Sequence, residues 1–407
     1  MNAFRVIGLK SAILAAVLLG TAVAGGAPAS AESGDSEPTM DGMPYVGSEL
    51  TIGQASASIG YCAPEGTSPQ FIMEWLSNGV PLPAERQGEF LKLLPEDRGN
   101  RISFNVHGMC EGAKVYHSAE TAPIAASTRA SGWTGRGNFE LLARTDDGDL
   151  VLYPRTYESR WDFYDMDRNA RHYSSSWDEP RVVGTGWNIF DIVFSPGDFD
   201  GDGNNDVLAR DTRGNLHLYP GDGQGGWLTP SQVGAGWNIF DSIVGAGDFD
   251  GDGNNDVLAR DPRGNLHLYP GDGQGGWLTP SQVGSGWQIF DKIIAPGDTN
   301  ADGGVDIFAR DHNGVLYQYP ADGLGHWKSP SMVGPGWDVM SEISGAGLFS
   351  PGRGNYDATR GARNDVIAVD QKGDLQRYGA GVWGDPDSGL TEKGPIGTGW
   401  NIFKQLI

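Results

Sequence analysis

A unit of about fifty residues recurs through the second half of the sequence, and this periodicity limits the possible folds more than any local propensity does. Each copy contains the dipeptide Gly-Trp followed by apolar residues, which begins at Gly186, Gly236, Gly286, Gly336 and Gly399. Residues 197–234 and 247–284 are identical except that Thr212 is replaced by Pro262. Such self-similarity is typical of folds in which one supersecondary unit packs against its own copies.

Each unit divides into four short runs of β-forming residues. In one copy these runs are IFDSIVGAG, NDVLARD, NLHLYP and WLTPSQVG, with Gly, Asp, Asn and Pro at the turns between them. Four strands in a unit of this length are typical of a β-propeller blade. The first unit, which opens at Gly135, lacks the Gly-Trp strand, and residues 399–407 supply that strand with no unit after it. We therefore predict an all-β chain in which residues 132–407 form a five-bladed β-propeller of four-stranded blades, closed by the C-terminal strand.

The turn after the first strand of a unit is crowded with carboxylates. Aspartates at positions one, three, five and nine of the loop can point their oxygens inward, and the glycines between them permit a tight bend. Four carboxylates repel each other unless a cation neutralises them, and oxygen donors without His or Cys favour Ca²⁺. The pattern also resembles the start of an EF-hand loop, which requires a glutamate ligand at its twelfth position. Counted from Asp198, the twelfth residue here is Ala209, so an EF-hand is excluded. The alternative is a polar turn that binds no metal.

We predict three calcium sites with ligands in three successive units. The first unit keeps only Glu140 of this pattern, and the fifth unit replaces the loop by an unrelated sequence. The predicted ligands are Asp198, Asp200, Asp202, Asn204 and Asp206; Asp248, Asp250, Asp252, Asn254 and Asp256; and Asp298, Asn300, Asp302, Gly304 and Asp306.

The loop motif DxDxDGxxD followed by DVLARD resembles the FG-GAP (or VCBS) repeats of integrin α-subunit propellers and of many secreted bacterial proteins. The GW-x-x-F strand starts, the tryptophan of the fourth strand and the five-blade closure are similar to the tachylectin family of lectins. The first resemblance implies calcium-binding propeller blades, and the second implies recognition of carbohydrate.

Residues 42–122 contain no repeat, and their short alternating runs predict a small antiparallel β domain. The order Cys62, Trp75, Cys110 resembles bacterial immunoglobulin-like modules, which implies a β-sandwich with Trp75 in its core. In a secreted chain, two cysteines predict one disulfide between Cys62 and Cys110. The small, polar segment 123–131 is predicted to be a linker.

Residues 1–31 have the pattern of a secretory signal peptide. Arg5 and Lys10 precede an apolar run at 11–26, and Ala29–Ala31 provide small residues for cleavage. A membrane anchor is the alternative, but the run is short for a span. We predict secretion, without membrane insertion. The net charge of −23 argues against nucleic acid as a partner.

The sequence contains no motif of an enzyme, so we predict a binding module. Trp227, Trp277 and Trp327 follow glycine-rich turns and are candidates for stacking on an extracellular or cell-wall glycan, whereas the Gly-Trp tryptophans are expected to pack between blades. An adhesion partner is the competing prediction, because the first unit contains an insertion, 155–176, with Arg160, Trp161 and Tyr164. A glycoside hydrolase is less favoured, because most acidic residues belong to the repeated loops.

Overall fold

The computed structural model describes most of the chain outside the N-terminal leader. The described residues are 38–42, 44–52, 71–108, 114–128, 131–136, 139–162, 170–300, 302–347, 356–357, 361–362, 364–382 and 385–407. The predicted signal peptide, the predicted disulfide partners Cys62 and Cys110, and Tyr164 of the insertion lie outside these ranges. No helix within the ranges is long and apolar enough to span a membrane.

The N-terminal region forms two antiparallel sheets around one apolar core. Its strands are β1 (Met40–Asp41), β2 (Glu49–Ile52), β3 (Phe71–Ser77), β4 (Val80–Pro81), β5 (Phe90–Lys92), β6 (Ile102–Gly108) and β7 (Val115–His117), with 3₁₀ turns at Ala84–Arg86 and Pro95–Asp97. The sheet orders are β1-β2-β5 and β4-β3-β6-β7. Trp75 is fully buried, lies edge-on to Phe104 at 5.3 Å, and donates its indole N–H to the Gly88 carbonyl. The predicted core role of Trp75 is confirmed.

The repeat region consists of successive four-stranded antiparallel sheets, the arrangement of a repeat β-propeller. The strands of the first unit are β8 (Leu141–Thr145), β9 (Leu150–Tyr153), β10 (Arg155–Asp162), β11 (Ala170–Trp177) and β12 (Arg181–Gly184). The second and third units contribute β13 (Phe190–Gly197), β14 (Asp206–Asp211), β15 (Leu216–Tyr219), β16 (Ser231–Gly234), β17 (Ser242–Gly247), β18 (Asp256–Arg260), β19 (Leu266–Tyr269) and β20 (Ser281–Gly284).

The remaining strands continue the same order along the chain. They are β21 (Phe290–Gly297), β22 (Asp306–Asp311), β23 (Leu316–Pro320), β24 (Ser331–Gly334), β25 (Met340–Gly345), β26 (Tyr356–Asp357), β27 (Gly361–Ala362), β28 (Val366–Asp370), β29 (Leu375–Val382), β30 (Asp385–Gly397) and β31 (Phe403–Leu406). Each Gly-Trp dipeptide leads into a 3₁₀ turn, at Trp187–Ile189, Trp237–Ile239, Trp287–Ile289, Trp337–Val339 and Trp400–Ile402.

Five four-stranded sheets occur among the described residues of this region, and we number them in chain order. The first to fifth sheets have the strand orders β12-β9-β8-β31, β13-β14-β15-β16, β17-β18-β19-β20, β21-β22-β23-β24 and β25-β28-β29-β30. The second strand of a sheet is buried on both faces, as Val207, Leu208 and Ala209 of β14 show. The third strand alternates, with Leu216 and Leu218 buried on either side of half-exposed His217.

The C-terminal strand lies in the sheet of the first unit. Phe403 pairs with Thr145, Gln405 with Arg144 and Leu406 with Ala143. β8 therefore has neighbours on both sides, although its partner β31 lies more than two hundred residues away in the chain.

The insertion in the first unit forms a two-stranded hairpin of its own. Strands β10 and β11 pair over eight positions, from Arg155 with Trp177 to Asp162 with Ala170. Among the described strands, neither hydrogen-bonds to any of the four-stranded sheets. Arg160 and Trp161 lie on β10, and their side chains are outside the described part of the structure.

The segment predicted to be a linker, 123–131, joins the two regions, and several of its described residues are buried. Ile124 and Ser127 are each 1 % exposed. The Ile124 N–H donates to Asn100 of the N-terminal region, while the Ser127 carbonyl accepts from the Asp198 N–H of the repeat region. A segment with these bonds fixes the two regions against each other, which an exposed flexible linker would not do.

Candidate metal-binding loops and aromatic clusters

The loop between β13 and β14 wraps around the carboxylate of its first aspartate. Asp198 Oδ1 accepts the N–H of Gly201 at 2.7 Å, and its Oδ2 accepts the N–H of Gly203 at 3.0 Å. Both glycines have positive φ, 83° and 92°, so other residues would be strained there. The aspartate and the two glycines together determine the bend that the sequence predicted.

The ninth residue of the loop anchors it to the sheet. Asp206 is fully buried; its Oδ2 accepts the N–H of Phe199 at 2.8 Å, and its Oδ1 accepts that of Gly221 at 2.9 Å. One carboxylate oxygen from each of Asp198, Asp200 and Asp206 lies within 4.8 Å of the other two. Equivalent residues form an equivalent group in the next unit, Asp248, Asp250 and Asp256.

Burial of these carboxylates makes their ionisation unfavourable in the absence of a cation. It raises the pKa of Asp206 to about 8, with a further contribution from the charge of Asp200, and it raises the pKa of Asp198 to about 6. The pKa values of Asp256 and Asp248 are raised by burial to about 8 and about 6. A group of carboxylates with no nitrogen or sulfur donor suits a hard divalent cation, so the residues present fit Ca²⁺.

Two of the predicted ligand types lie outside these groups. The Asp202 side chain accepts the Asn204 N–H at 2.8 Å and so shapes the loop. Asp252 and Asn254 have the same relation at 2.7 Å. The side-chain oxygen of Asn254 also accepts a hydrogen bond from Arg98 of the N-terminal region. Asp198, Asp200 and Asp206, with their equivalents, are therefore the groups that the fold brings together.

The loop of the fourth sheet differs from the other two. Lys328 Nζ lies 2.7 Å from Asp302 Oδ2, which also accepts Asn300 Nδ2 at 3.0 Å. Thr299 donates both its N–H and its hydroxyl to Asp306. In the described part of the chain, three acidic oxygens converge only in the second and third sheets. A lysine and neighbouring side chains engage Asp302 and Asp306, so the third predicted site, which includes Asp298 and Gly304, stays a prediction.

Glu140 of the first unit stands at the position of Asp206. It is 1 % exposed and accepts hydrogen bonds from the Trp133 N–H, the Thr134 N–H and the Thr134 hydroxyl, at 2.7, 2.9 and 2.6 Å. Its carboxylate is satisfied by the protein, and the other acidic positions of the loop are missing. The first loop is therefore a structural turn.

The three tryptophans predicted to contact a glycan lie between neighbouring sheets. Trp277 is half-buried, packs 5.1 Å from Trp237 and 4.7 Å from Phe199, and donates its indole N–H to the Val233 carbonyl at 2.9 Å. Trp227 and Trp327 make the equivalent bonds, to Val183 and Val283. Their ring faces and N–H groups are engaged within the protein, so their first role is to join adjacent sheets. The Gly-Trp tryptophans pack between sheets as predicted, at 5–7 % exposure.

The second asparagine of each Asn-Asn pair has a role that the sequence did not predict. Asn255 Nδ2 donates to the carbonyls of Ser127 and Asp198, at 2.7 and 2.8 Å, and Asn205 Nδ2 donates to Gly132 at 2.6 Å. These amides tie each acidic loop to the unit before it and to segment 123–131. The recurrence of the Asn-Asn pair at the same place in two units was the feature of the sequence that could have indicated this role.

A second set of missed contacts involves the arginine of each ARD motif. Arg210 pairs with Asp191 across the sheet at 2.7 Å, rather than with the adjacent Asp211. Asp211 instead accepts the N–H groups of Arg213 and Asn215 and forms the turn. The two acidic residues therefore have separate roles.

A family model described as an FG-GAP-like repeat matches residues 198–259 and 248–309. No curated protein matches the chain. Among solved structures, the chain is similar to the BP39L lectin of Burkholderia pseudomallei, with 16 % identity, a TM-score of 0.37, and coverage of 88 % of this chain and 98 % of that one. It is also similar to an Agrocybe aegerita lectin that recognises non-reducing terminal N-acetylglucosamine, with 12 % identity, a TM-score of 0.36, and coverage of 89 % and 91 %. A third is AofleA of Arthrobotrys oligospora, with 14 % identity, a TM-score of 0.32, and coverage of 83 % and 93 %. Similarities this distant assign no ligand to the present chain.

Proposed function

We propose that this chain is a secreted, non-enzymatic, calcium-binding repeat β-propeller that serves as a binding module, with carbohydrate as its ligand. The observation that carries the calcium part is the convergence of three carboxylate oxygens within 4.8 Å in each of two loops. The match of residues 198–309 to an FG-GAP-like repeat supports the same reading. Bound calcium would neutralise the buried carboxylates, and the protein would supply the glycine bends and the backbone N–H groups that hold them.

The five sheets are proposed to close into a ring of five blades. Support comes from the pairing of β31 with β8 and from Gln405 Nε2, which donates to the Val193 carbonyl of the second sheet at 2.5 Å. β31 therefore belongs to the first sheet and also bonds to the second. A closed ring leaves no sheet edge unpaired at this junction.

Calcium in this arrangement would stabilise the protein rather than take part in chemistry. Asp198 lies next to the Ser127 carbonyl that anchors segment 123–131, and its own carbonyl accepts Asn255 of the third sheet. A cation bound at the loop therefore stiffens contacts between two sheets and the N-terminal region. Removal of calcium by a chelator should therefore weaken the contacts among the second sheet, the third sheet and the N-terminal region together.

Carbohydrate is favoured as the ligand because the repeat presents the same surface several times. The 3₁₀ turns expose one aliphatic side chain per unit, at Ile189, Ile239, Ile289, Val339 and Ile402, each 43–62 % exposed. Each follows an exposed polar residue of the same turn, such as Asn188 or Gln288. Repeated weak sites on one rigid scaffold bind a polymer with useful avidity.

A pull-down on insoluble cell-wall and extracellular polysaccharides, with and without calcium, tests the proposal. Retention of the calcium-loaded protein on at least one polysaccharide, and its loss with chelator, is the expected result. No retention on any polysaccharide would refute the carbohydrate assignment, and an unchanged melting curve in chelator would refute the calcium assignment.

Protein adhesion is a second candidate, favoured by the separate hairpin β10–β11. It pairs only with itself among the described strands, so it can vary without disturbing the first sheet. Replacing residues 157–175 by a short Gly-Ser turn should abolish binding to a protein partner and leave polysaccharide retention intact. The reverse result would favour carbohydrate binding by the hairpin. The immunoglobulin-like identity of the N-terminal region and the Cys62–Cys110 disulfide remain predictions, the latter testable by non-reducing peptide mapping.

A further inference from the structure

Three of the five sheets hold a largely buried arginine that pairs with an aspartate at or just before the start of the neighbouring strand. Arg210 pairs with Asp191 at 2.7 Å, Arg260 with Asp241 at 2.8 Å, and Arg310 with Asp291 at 2.8 Å. In the pairs of Arg210 and Arg310 both Nε and Nη2 bond to the carboxylate, one to each oxygen. The Nη1 group of each arginine faces the other way and donates to two carbonyls of the next 3₁₀ turn.

Arg144 occupies the same position in the first sheet. Arg144 pairs in register with Gln405, as Arg210 pairs with Ile192 in the second sheet. The residue just before each of these partners lies at a β-bulge or similar irregularity, and it is Asp191 in the second sheet but Lys404 in the first. Arg144 Nη1 makes the usual bonds to the next turn, to the carbonyls of Trp187 and Phe190. A lysine therefore stands where the other sheets have the acidic partner.

Arg144 consequently has no counterion. It is 2 % exposed, its Nε has no hydrogen-bond partner, and it forms no ion pair among the described residues. The acidic groups whose charges act on it from the flanking sheets are Asp191 and Glu342. Asp191 is already bonded to Arg210, and Glu342 lies 2.9 Å from Lys292. Burial lowers the pKa of Arg144, the direction expected for a cation without an acidic partner.

We propose that Arg144 and Lys404 form an anion site for the carboxylate of an acidic sugar. The Nε–Nη2 edge of a guanidinium matches a carboxylate with two parallel hydrogen bonds, which the Asp191 and Asp291 side chains demonstrate in this same protein. The exposed Lys404, which precedes the Gln405 that pairs with Arg144, adds a second positive charge on the same strand. The carboxylate of a hexuronate would take the place of the missing aspartate.

The place that corresponds to the missing aspartate opens to the surface in the other sheets, although Arg144 itself is only 2 % exposed. In the other sheets the aspartates that fill the equivalent place are 34–42 % exposed, while their arginines are only 8–14 % exposed. The carboxylate therefore approaches from the surface, and the guanidinium forms the floor. The choice of sugar rests on the proposed function; the anion site itself does not.

Titration of the calcium-loaded protein with sodium glucuronate, glucose and sodium acetate tests the site, followed by calorimetry and by thermal melting. We expect saturable binding of glucuronate that also raises Tm, and no effect of glucose. The informative variant is Lys404→Asp, which recreates the pair of the other sheets. It should raise Tm without ligand by about 3 °C or more, and weaken glucuronate binding by about tenfold or more.

Lys372→Asp, an identical charge change on an exposed turn, is the matched control and should retain glucuronate binding. Absence of glucuronate binding, or undiminished binding by Lys404→Asp, would overturn the anion site. Acetate binding as tight as glucuronate would overturn the assignment to a sugar. Failure of every polysaccharide pull-down with glucuronate binding intact would refute the proposed function alone, because the two assays do not share a readout.

Discussion

Asp200→Asn and Asp250→Asn, alone and together, measure what calcium contributes to stability. Asp200 is the best of the three grouped residues to change, because its side chain contributes least to the shape of the loop: its Oδ1 accepts the Asp202 N–H at 3.2 Å. Asp198 and Asp206 each hold several loop N–H groups, so changing them would damage the loop itself. The substitution keeps the size of the side chain and removes one of three converging charges.

The magnitude follows from linkage. A cation that binds only the folded protein stabilises it by about 2.7 kcal/mol per site at a hundredfold excess over Kd. In a domain of this size, each kcal/mol changes Tm by about 2 °C. Two equivalent sites therefore predict a calcium-dependent increase of about 10 °C in the wild type, half of it in either single variant, and none in the double variant.

Differential scanning calorimetry in chelator and in millimolar calcium measures these differences directly. In chelator the melting temperatures of the variants should equal or slightly exceed that of the wild type, because removal of the Asp200 or Asp250 charge lessens the repulsion on Asp206 or Asp256 in the metal-free loop. Asp147→Asn, in the exposed turn after β8, provides the charge-matched control and should behave as wild type. A double variant that keeps the full calcium-dependent increase, or a wild type that shows none, would refute the assignment of these loops.

Three further predictions concern pH, a buried ion pair and the C-terminal strand. Burial raises the pKa of Asp206 from 3.8 to about 8, so the metal-free folded protein favours the neutral form of this carboxyl group. Tm in chelator should therefore fall as the pH rises from about 5 to 8.5. Calcium should suppress this fall. A metal-free Tm that rises over this range would contradict that sign. Arg260→Met leaves two buried carbonyls without a donor and should lower the free energy of unfolding by about 2–5 kcal/mol in a denaturant titration. Arg263→Met on an exposed turn should lower it by less than about 0.5 kcal/mol. Deleting residues 403–407 exposes the edge of β8, and size-exclusion chromatography should show association or aggregation; a stable monomer would argue against the role of β31.

The repeated architecture was predictable because the same residues recur about every fifty positions in the sequence. The Gly-Trp dipeptides, the four β runs and the orphan strand at the C-terminus required only self-comparison, and the structure contains the corresponding sheets. The positions of Asp198, Asp200 and Asp206 were also predictable, because ligand spacing within one loop depends on local geometry.

Contacts between distant segments were not predictable in the same way. The ion pair of Asp302 is one example, because its partner Lys328 lies in the connection between β23 and β24, far from the loop in sequence. The packing of Trp277 between sheets depends on Val233 and Phe199 of the preceding unit, and its glycine-rich flank does not reveal these contacts. Segment 123–131 is composed like a linker, and only its neighbours reveal that it is packed.

The two acidic loops have the same sequence, but their neighbours differ. Gly203 of the first loop lies against the apolar side chains of Val46 and Pro95, whereas the second loop receives the guanidinium of Arg98, bonded to Asn254. A fixed positive charge beside one of two otherwise identical sites lowers the calcium affinity of that site relative to the other. Calcium should therefore load the protein in two successive steps, and neutralising Arg98 by methionine should merge them into one.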